Sequence, residues 1–109
     1  MNGYEIYRQA MNRLGYTETP RLRALALTAI NQVYSDLWYC CSAEPFEPLG
    51  NLSEKIRLSE RTVCDIMPAG VAAFLSQSES DGDAQQLWIS IYNRKRAALT
   101  RVEKRTIEF

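Results

Sequence analysis

Apolar positions recur at helical spacing in four stretches of this chain, and breakers separate them. The first stretch runs from about Gly3 to Leu14, with Tyr4, Tyr7, Met11 and Leu14 on one face. Asn2 followed by Glu5 is a capping-box pattern that supplies acceptors for the free amides of a first turn. Gly15 stands where a left-handed C-terminal cap is wanted. The second stretch begins at Pro20, with Thr19 as its cap, because proline at the first helical position loses no hydrogen bond. Leu22, Leu25, Ala29, Ile30, Val33 and Leu37 form its main stripe, and Leu27, Tyr34 and Trp38 widen it to most of the circumference. A helix apolar almost all round is buried on several sides. This pattern predicts that the second helix is the centre of the fold, or the part that meets a neighbouring subunit.

From Ser42 to about Ser59 the periodicity stops. Pro45, Pro48 and Gly50 break any helix, and Phe46, Leu49 and Leu52 are placed to dock the loop to the body. Ile56-Arg57-Leu58 alternates, as a short extended piece would. Loops of this length inside compact domains are often functional. The rhythm then resumes through Val63, Ile66, Met67, Gly70, Val71, Phe74 and Leu75, straight across Pro68. Two structures fit: a single helix from about Glu60 to Ser78 kinked at Pro68, or a short turn followed by a helix that starts at Pro68. Interior proline costs about 3 kcal/mol, but the unbroken rhythm favours the kinked helix. A fourth helix is expected from Asp83, with Gln86 completing a capping box. Leu87, Trp88, Ile91, Tyr92, Leu99 and Val102 make its stripe, and Thr106 to Phe109 reads as a tail. The expected architecture is mostly α: one bundle-like domain of four helices, a long loop between the second and third, and the last two paired as an antiparallel hairpin.

Composition narrows the chemistry. The 109 residues are 46% apolar and carry no net charge, which suits one core and one domain. No apolar run approaches the roughly 18 residues of a membrane span, so no membrane partner is expected. No signal-peptide pattern leads the chain, and a reducing cytoplasm is the expected place of synthesis. Three cysteines, at 40, 41 and 64, make a poor disulfide framework. There is no histidine, which removes Ser-His-Asp and Cys-His nucleophiles and histidine-bearing metal sites. No catalytic residues, cofactor or metal are therefore expected. Asp81-Gly82-Asp83 lacks the later ligands of a calcium loop and reads as a cap and turn.

Charge is balanced overall but unevenly placed. Between Glu44 and Asp83 stand eight carboxylates against Lys55, Arg57 and Arg61. Between Arg94 and Arg105 stand six cations, Arg94, Lys95, Arg96, Arg101, Lys104 and Arg105, against Glu103 alone. Such a run can stabilise the negative end of a helix dipole on a solvated face, contact a protein partner, or follow phosphates. Acidic and basic regions on one chain also suit head-to-tail self-association that closes into a ring. The candidate partner-binding residues are Glu44, Phe46 and Glu47 in the loop, with the six basic residues of the last helix.

One segment carries a resemblance. Met67-Pro68-Ala69-Gly70-Val71-Ala72-Ala73-Phe74-Leu75, the acidic turn Glu79 to Asp83, and a helix with Tyr92-Asn93 followed by basic residues resemble the small bacteriophage head–tail connector, or adaptor, proteins. The likeness covers about residues 56 to 102. It implies an α-helical structural protein, not an enzyme, found in the virion at the head–tail interface. Such a protein forms a homo-oligomeric ring, a dodecamer of about twelve copies, bridging the portal and the tail-completion proteins. DNA passes through the ring without sequence recognition. The alternative expectation is a small nucleic-acid-binding regulator that uses the basic C-terminal helix. A gel shift with a steep salt slope, lost when Arg94, Lys95 and Arg96 are substituted, would favour it.

Overall fold

The computed structural model describes residues 1–107, with side chains described through Leu99. Helix α1 spans Gly3–Leu14. The capping box at its start forms as the pattern predicts: Asn2 Oδ1 accepts from Glu5 N at 2.9 Å, and Asn2 N donates back to Glu5 Oε1 at 3.4 Å. Gly15 ends the helix at φ 69°, a left-handed conformation in which a Cβ would be strained. Its buried face is Gly3, Ile6, Tyr7, Ala10 and Met11, so Tyr4 and Leu14 sit at the edge of the core. Helix α2 spans Pro20–Cys41, and Thr19 Oγ1 accepts from Leu22 N at 3.2 Å.

The chain is helical without a break from Glu60 to Ser78, yet it is not a simple kinked α-helix. Thr62–Ile66 forms a π turn, closed by Met67 N donating to Thr62 O, and helix α3 follows over Met67–Ser78. The proline explains this. Pro68 has no N–H, and its ring opposes a carbonyl four residues back. One extra residue in the preceding turn moves that conflict to a junction, and Pro68 lands in the first turn of α3, where a donor is not missed. Both expected arrangements thus hold in part: the helical path is continuous, and a new α-helix begins at Met67, one residue before the expected Pro68.

Helix α4 spans Gly82–Ile107. It starts one residue before the expected Asp83, and Asp81 is its cap. Asp81 Oδ1 accepts from Ala84 N at 3.3 Å, and Asp81 O accepts from Gln85 N at 2.9 Å. No Asp83–Gln86 box is needed. The turn before it is made by Ser80, which takes the left-handed φ of 57° more often given to glycine. Helix α4 also runs through Thr106 and Ile107, where a tail was expected. Glu108 and Phe109 lie outside the described residues.

Helix α3, not α2, is the centre. It touches each of the other three helices, and Met67, Ala69, Val71, Ala72 and Leu75 have essentially no exposed surface. Width of apolar stripe misplaces the centre here because small residues count little on that scale. Pro68-Ala69-Gly70-Val71-Ala72-Ala73 lets neighbours close in on every side, whereas the large side chains of α2 also serve the loop. At Gly70 a Cβ would come within 2.8 Å of the Tyr92 ring and 2.9 Å of Val33 Cγ1. The approach of α2 and α4 to α3 therefore depends on glycine.

Helices α3 and α4 are antiparallel, as expected. Gly70 meets Tyr92, and Asp65, a turn and a half earlier, meets Lys95, three residues later. Along α4, Tyr92 is buried and Trp88, Ile91 and Leu99 pack partly on the core. Leu87, assigned to that stripe from the sequence, is instead 56% exposed on the outer face.

The segment 42–59 contains no helix and is strapped down. Leu49 is buried, and its backbone pairs twice with the Asn31 amide, at 2.8 and 3.0 Å. Tyr4 N donates to Leu52 O at 2.9 Å and Ile56 N to Met1 O at 3.1 Å, which ties the loop to the start of α1. The alternating Ile56-Arg57-Leu58 piece adds an antiparallel bridge next to it, between Lys55 and Asn2.

Candidate functional site

The expected partner-binding residues fall in two places. In the loop, Phe46 packs edge-on against Tyr34 at 5.1 Å between ring centroids, with Trp38 and Tyr39 each at 6.5 Å. Trp38 Nε1 donates to Glu44 O at 2.8 Å, Arg57 N donates to Tyr34 Oη at 3.0 Å, and the Arg57 guanidinium lies over the Trp38 ring. Phe46 is therefore an anchor, half-buried in the fold. The carboxylates of Glu44 and Glu47 face solvent, and Glu47 makes only a loose, exposed pair with Arg57 at 3.6 Å. Beside them Tyr39 leaves 66% of its surface in water.

On α4 the basic run divides. Lys95 Nζ donates to Asp65 Oδ1 at 2.6 Å. Arg96 binds Asp36 with two parallel hydrogen bonds, Nε to Oδ2 at 2.8 Å and Nη2 to Oδ1 at 3.1 Å. These two cations brace α4 against the π turn and against α2. Arg94 alone among the described cations of the run points outward. The side chains of Arg101, Lys104 and Arg105 lie outside the described residues.

Sequence reasoning missed Asp36, because its partners stand 56 and 60 positions away and no local motif links them. Tyr92 Oη also donates to Asp36 Oδ2. The cluster closes one end of a cleft of about 210 Å³ between α2, α3 and α4, which Gln32, Phe74, Gln85 and Ile89 also line. Both Asp36 oxygens accept from fixed donors, so this carboxylate is a clamp and is poorly placed to take a proton from a substrate. Among the described residues no group of three or more Cys, Asp or Glu could hold a metal, and no helix is long and apolar enough to cross a membrane.

Three tyrosines share one electrostatic trend. Burial, and then the Asp36 hydrogen bond, push the Tyr92 phenol far above its usual range. Burial, and then the bond from Tyr16 Oη to Asp81 Oδ2 at 2.7 Å, raise Tyr16 to about 12. Burial and the nearby Glu18 carboxylate raise Tyr7 to about 12, and its hydroxyl closes no hydrogen bond. A group whose pKa rises on folding supports the fold below its unfolded value and loses that support as pH climbs through the folded value. The expected result is a melting temperature insensitive to these groups up to about pH 10, falling beyond it. Tyrosinate absorbance should show Tyr7, Tyr16 and Tyr92 ionising above the ordinary phenol range. A single class with ordinary pKa would contradict this.

Comparison with family models, with curated proteins and with solved structures finds no match for this chain. What the fold and the surface define is an all-α protein with a strapped loop, an internal clamp and one long outer helix.

Proposed function

We propose that this chain is a structural subunit of the head–tail connector kind, assembling as a ring with copies of itself between a phage portal and its tail-completion proteins. The observation that supports the reading most is the division of polar groups. The ionic clusters, Asp36–Arg96–Tyr92 and Asp65–Lys95, hold helices together, while Glu44, Glu47 and Arg94 stay on the outside. Such a chain puts its chemistry into shape and contact. The exposed loop carboxylates and the basic end of α4 are the surfaces assigned to the portal and to neighbouring subunits, with the ring of about twelve copies taken from the resemblance. In the virion its place is the head–tail interface, and DNA traverses the ring without being read. The nucleic-acid regulator is less well supported, since Lys95 and Arg96 are held by carboxylates in the fold.

The test combines genetics with imaging. Terminase, portal and capsid genes are expected beside this gene. Electron microscopy of the chain mixed with that portal protein should show rings seated on the portal. Absence of those genes, or a chain that leaves the portal bare, overturns the reading.

A further inference from the structure

The outer face of α4 carries a pattern that the fold does not use. Asp83, Leu87, Ser90 and Arg94 are all exposed and lie within one narrow stripe of the helix. Leu87 is 56% exposed, so one large aliphatic side chain of the stripe is open to a partner. Among the described residues neither Asp83 nor Arg94 makes an ion pair. The acid begins the stripe, the base ends it, and the leucine stands near its middle.

That order is self-complementary. Asp83 and Arg94 are eleven positions apart, about 16 Å along the helix. If a second α4 lies antiparallel across the stripe with its two-fold axis between Leu87 and Ser90, each Asp83 reaches the other copy's Arg94. The same placement brings the two Leu87 side chains within about 5 Å of each other along the axis, next to the two small Ser90 side chains that allow close approach. An isologous contact needs one patch that matches itself in reverse, and this stripe does. Charge complementarity also fixes the register, because a slip by one turn removes both ion pairs together.

We infer that the free protein forms a two-fold dimer through the outer face of α4, with the Leu87 pair at the dyad and an Asp83–Arg94 ion pair at each end. The contact is small and half polar, so it is a weak, reversible dimer that salt loosens by screening the ion pairs. It uses Arg94, which the connector reading gives to ring or portal contacts, so it describes the free protein before assembly, and no portal protein is needed to observe it.

Sedimentation of the full chain over a concentration series decides the matter. The wild type should pass from monomer to dimer, with a dissociation constant that rises with salt. Asp83→Arg and Arg94→Asp each replace two attractions by two repulsions, and each should weaken the dimer about tenfold or more. The double variant Asp83→Arg/Arg94→Asp restores opposite charges and should recover dimerisation. Leu87→Asp should abolish it while circular dichroism shows the helices intact, since the site is on the surface. A wild type that stays monomeric to about millimolar concentration overturns the inference. So do single reversals that dimerise like the wild type, or a double variant that remains as weak as the singles.

Discussion

Gly70→Ala should lower the melting temperature, although alanine is the better helix former. On an exposed helix the exchange would stabilise by about 1 kcal/mol. Here the new methyl would meet two Tyr92 ring carbons at 2.8 and 2.9 Å and Val33 Cγ1 at 2.9 Å. The ring cannot swing away, because its hydroxyl is tied to Asp36 and Tyr92 is only 7% exposed. Val33 is fixed in the core at 6% exposure. Either α2 or α4 must retreat from α3, and overpacking of this kind costs about 1–3 kcal/mol, occasionally more. Set against the propensity gain, the net loss is up to about 2 kcal/mol, roughly 8 °C for a domain of this size. Thermal unfolding followed by circular dichroism measures it. The cause is separable: Gly70→Ala should cost less in a Val33→Ala background, where one of the two obstacles is shortened. A Tyr92→Phe background keeps the buried ring but cuts its tether to Asp36, so it should give some relief, less than Val33→Ala. A melting point above wild type for Gly70→Ala would mean that the helices are not in this close contact.

The same residue shows how far the sequence could be read. Helices α1 and α2 were legible at their starts because capping is local: Asn2 with Glu5, and Thr19 with Pro20, state their geometry within four residues. The loop was legible through Pro45, Pro48 and Gly50, and its docking through Leu49. The centre is expected at α2 rather than α3 because breadth of large apolar side chains stands in for burial. The glycine and alanines of α3 mark closeness of approach, which depends on what lies opposite. The start of α4 reads as Asp83 because Gln86 completes a capping-box pattern there, whereas the bond to Ala84 N comes from Asp81, which Tyr16, 65 positions away, also holds. The basic run looked like a single surface. Its division into braces and an outward arginine follows from Asp36 and Asp65, which no spacing rule connects to α4.

Those braces carry the second large effect. Asp36→Ala removes the acceptor of three hydrogen bonds at once, two from Arg96 and one from Tyr92. The ion pair itself is only partly shielded, with about 40% of each side chain in water. Its own contribution is therefore closer to the surface range of up to about 1 kcal/mol than to that of a buried pair. The phenol is different. It is buried beneath the cleft, and an unpaired hydroxyl there costs about 1–3 kcal/mol. The sum, about 2–3 kcal/mol, should appear as loss of thermal stability on the order of 10 °C. Asp36→Asn keeps one acceptor for Tyr92 but surrenders the charge and the two-pronged grip on Arg96, so it should cost roughly half as much. A double-mutant cycle with Tyr92→Phe separates the two contributions. If the orphaned phenol dominates, Asp36→Ala should cost much less once Tyr92 is phenylalanine. If the ion pair dominates, its cost should be unchanged there and collapse instead in an Arg96→Met background. Tyrosinate titration adds an independent readout. Burial is the largest cause of the Tyr92 shift and survives the substitution, so its pKa should fall in Asp36→Ala yet stay above the ordinary value of 10.0. A stability and a titration curve both indistinguishable from wild type would show that α2 and α4 are not clamped at this point.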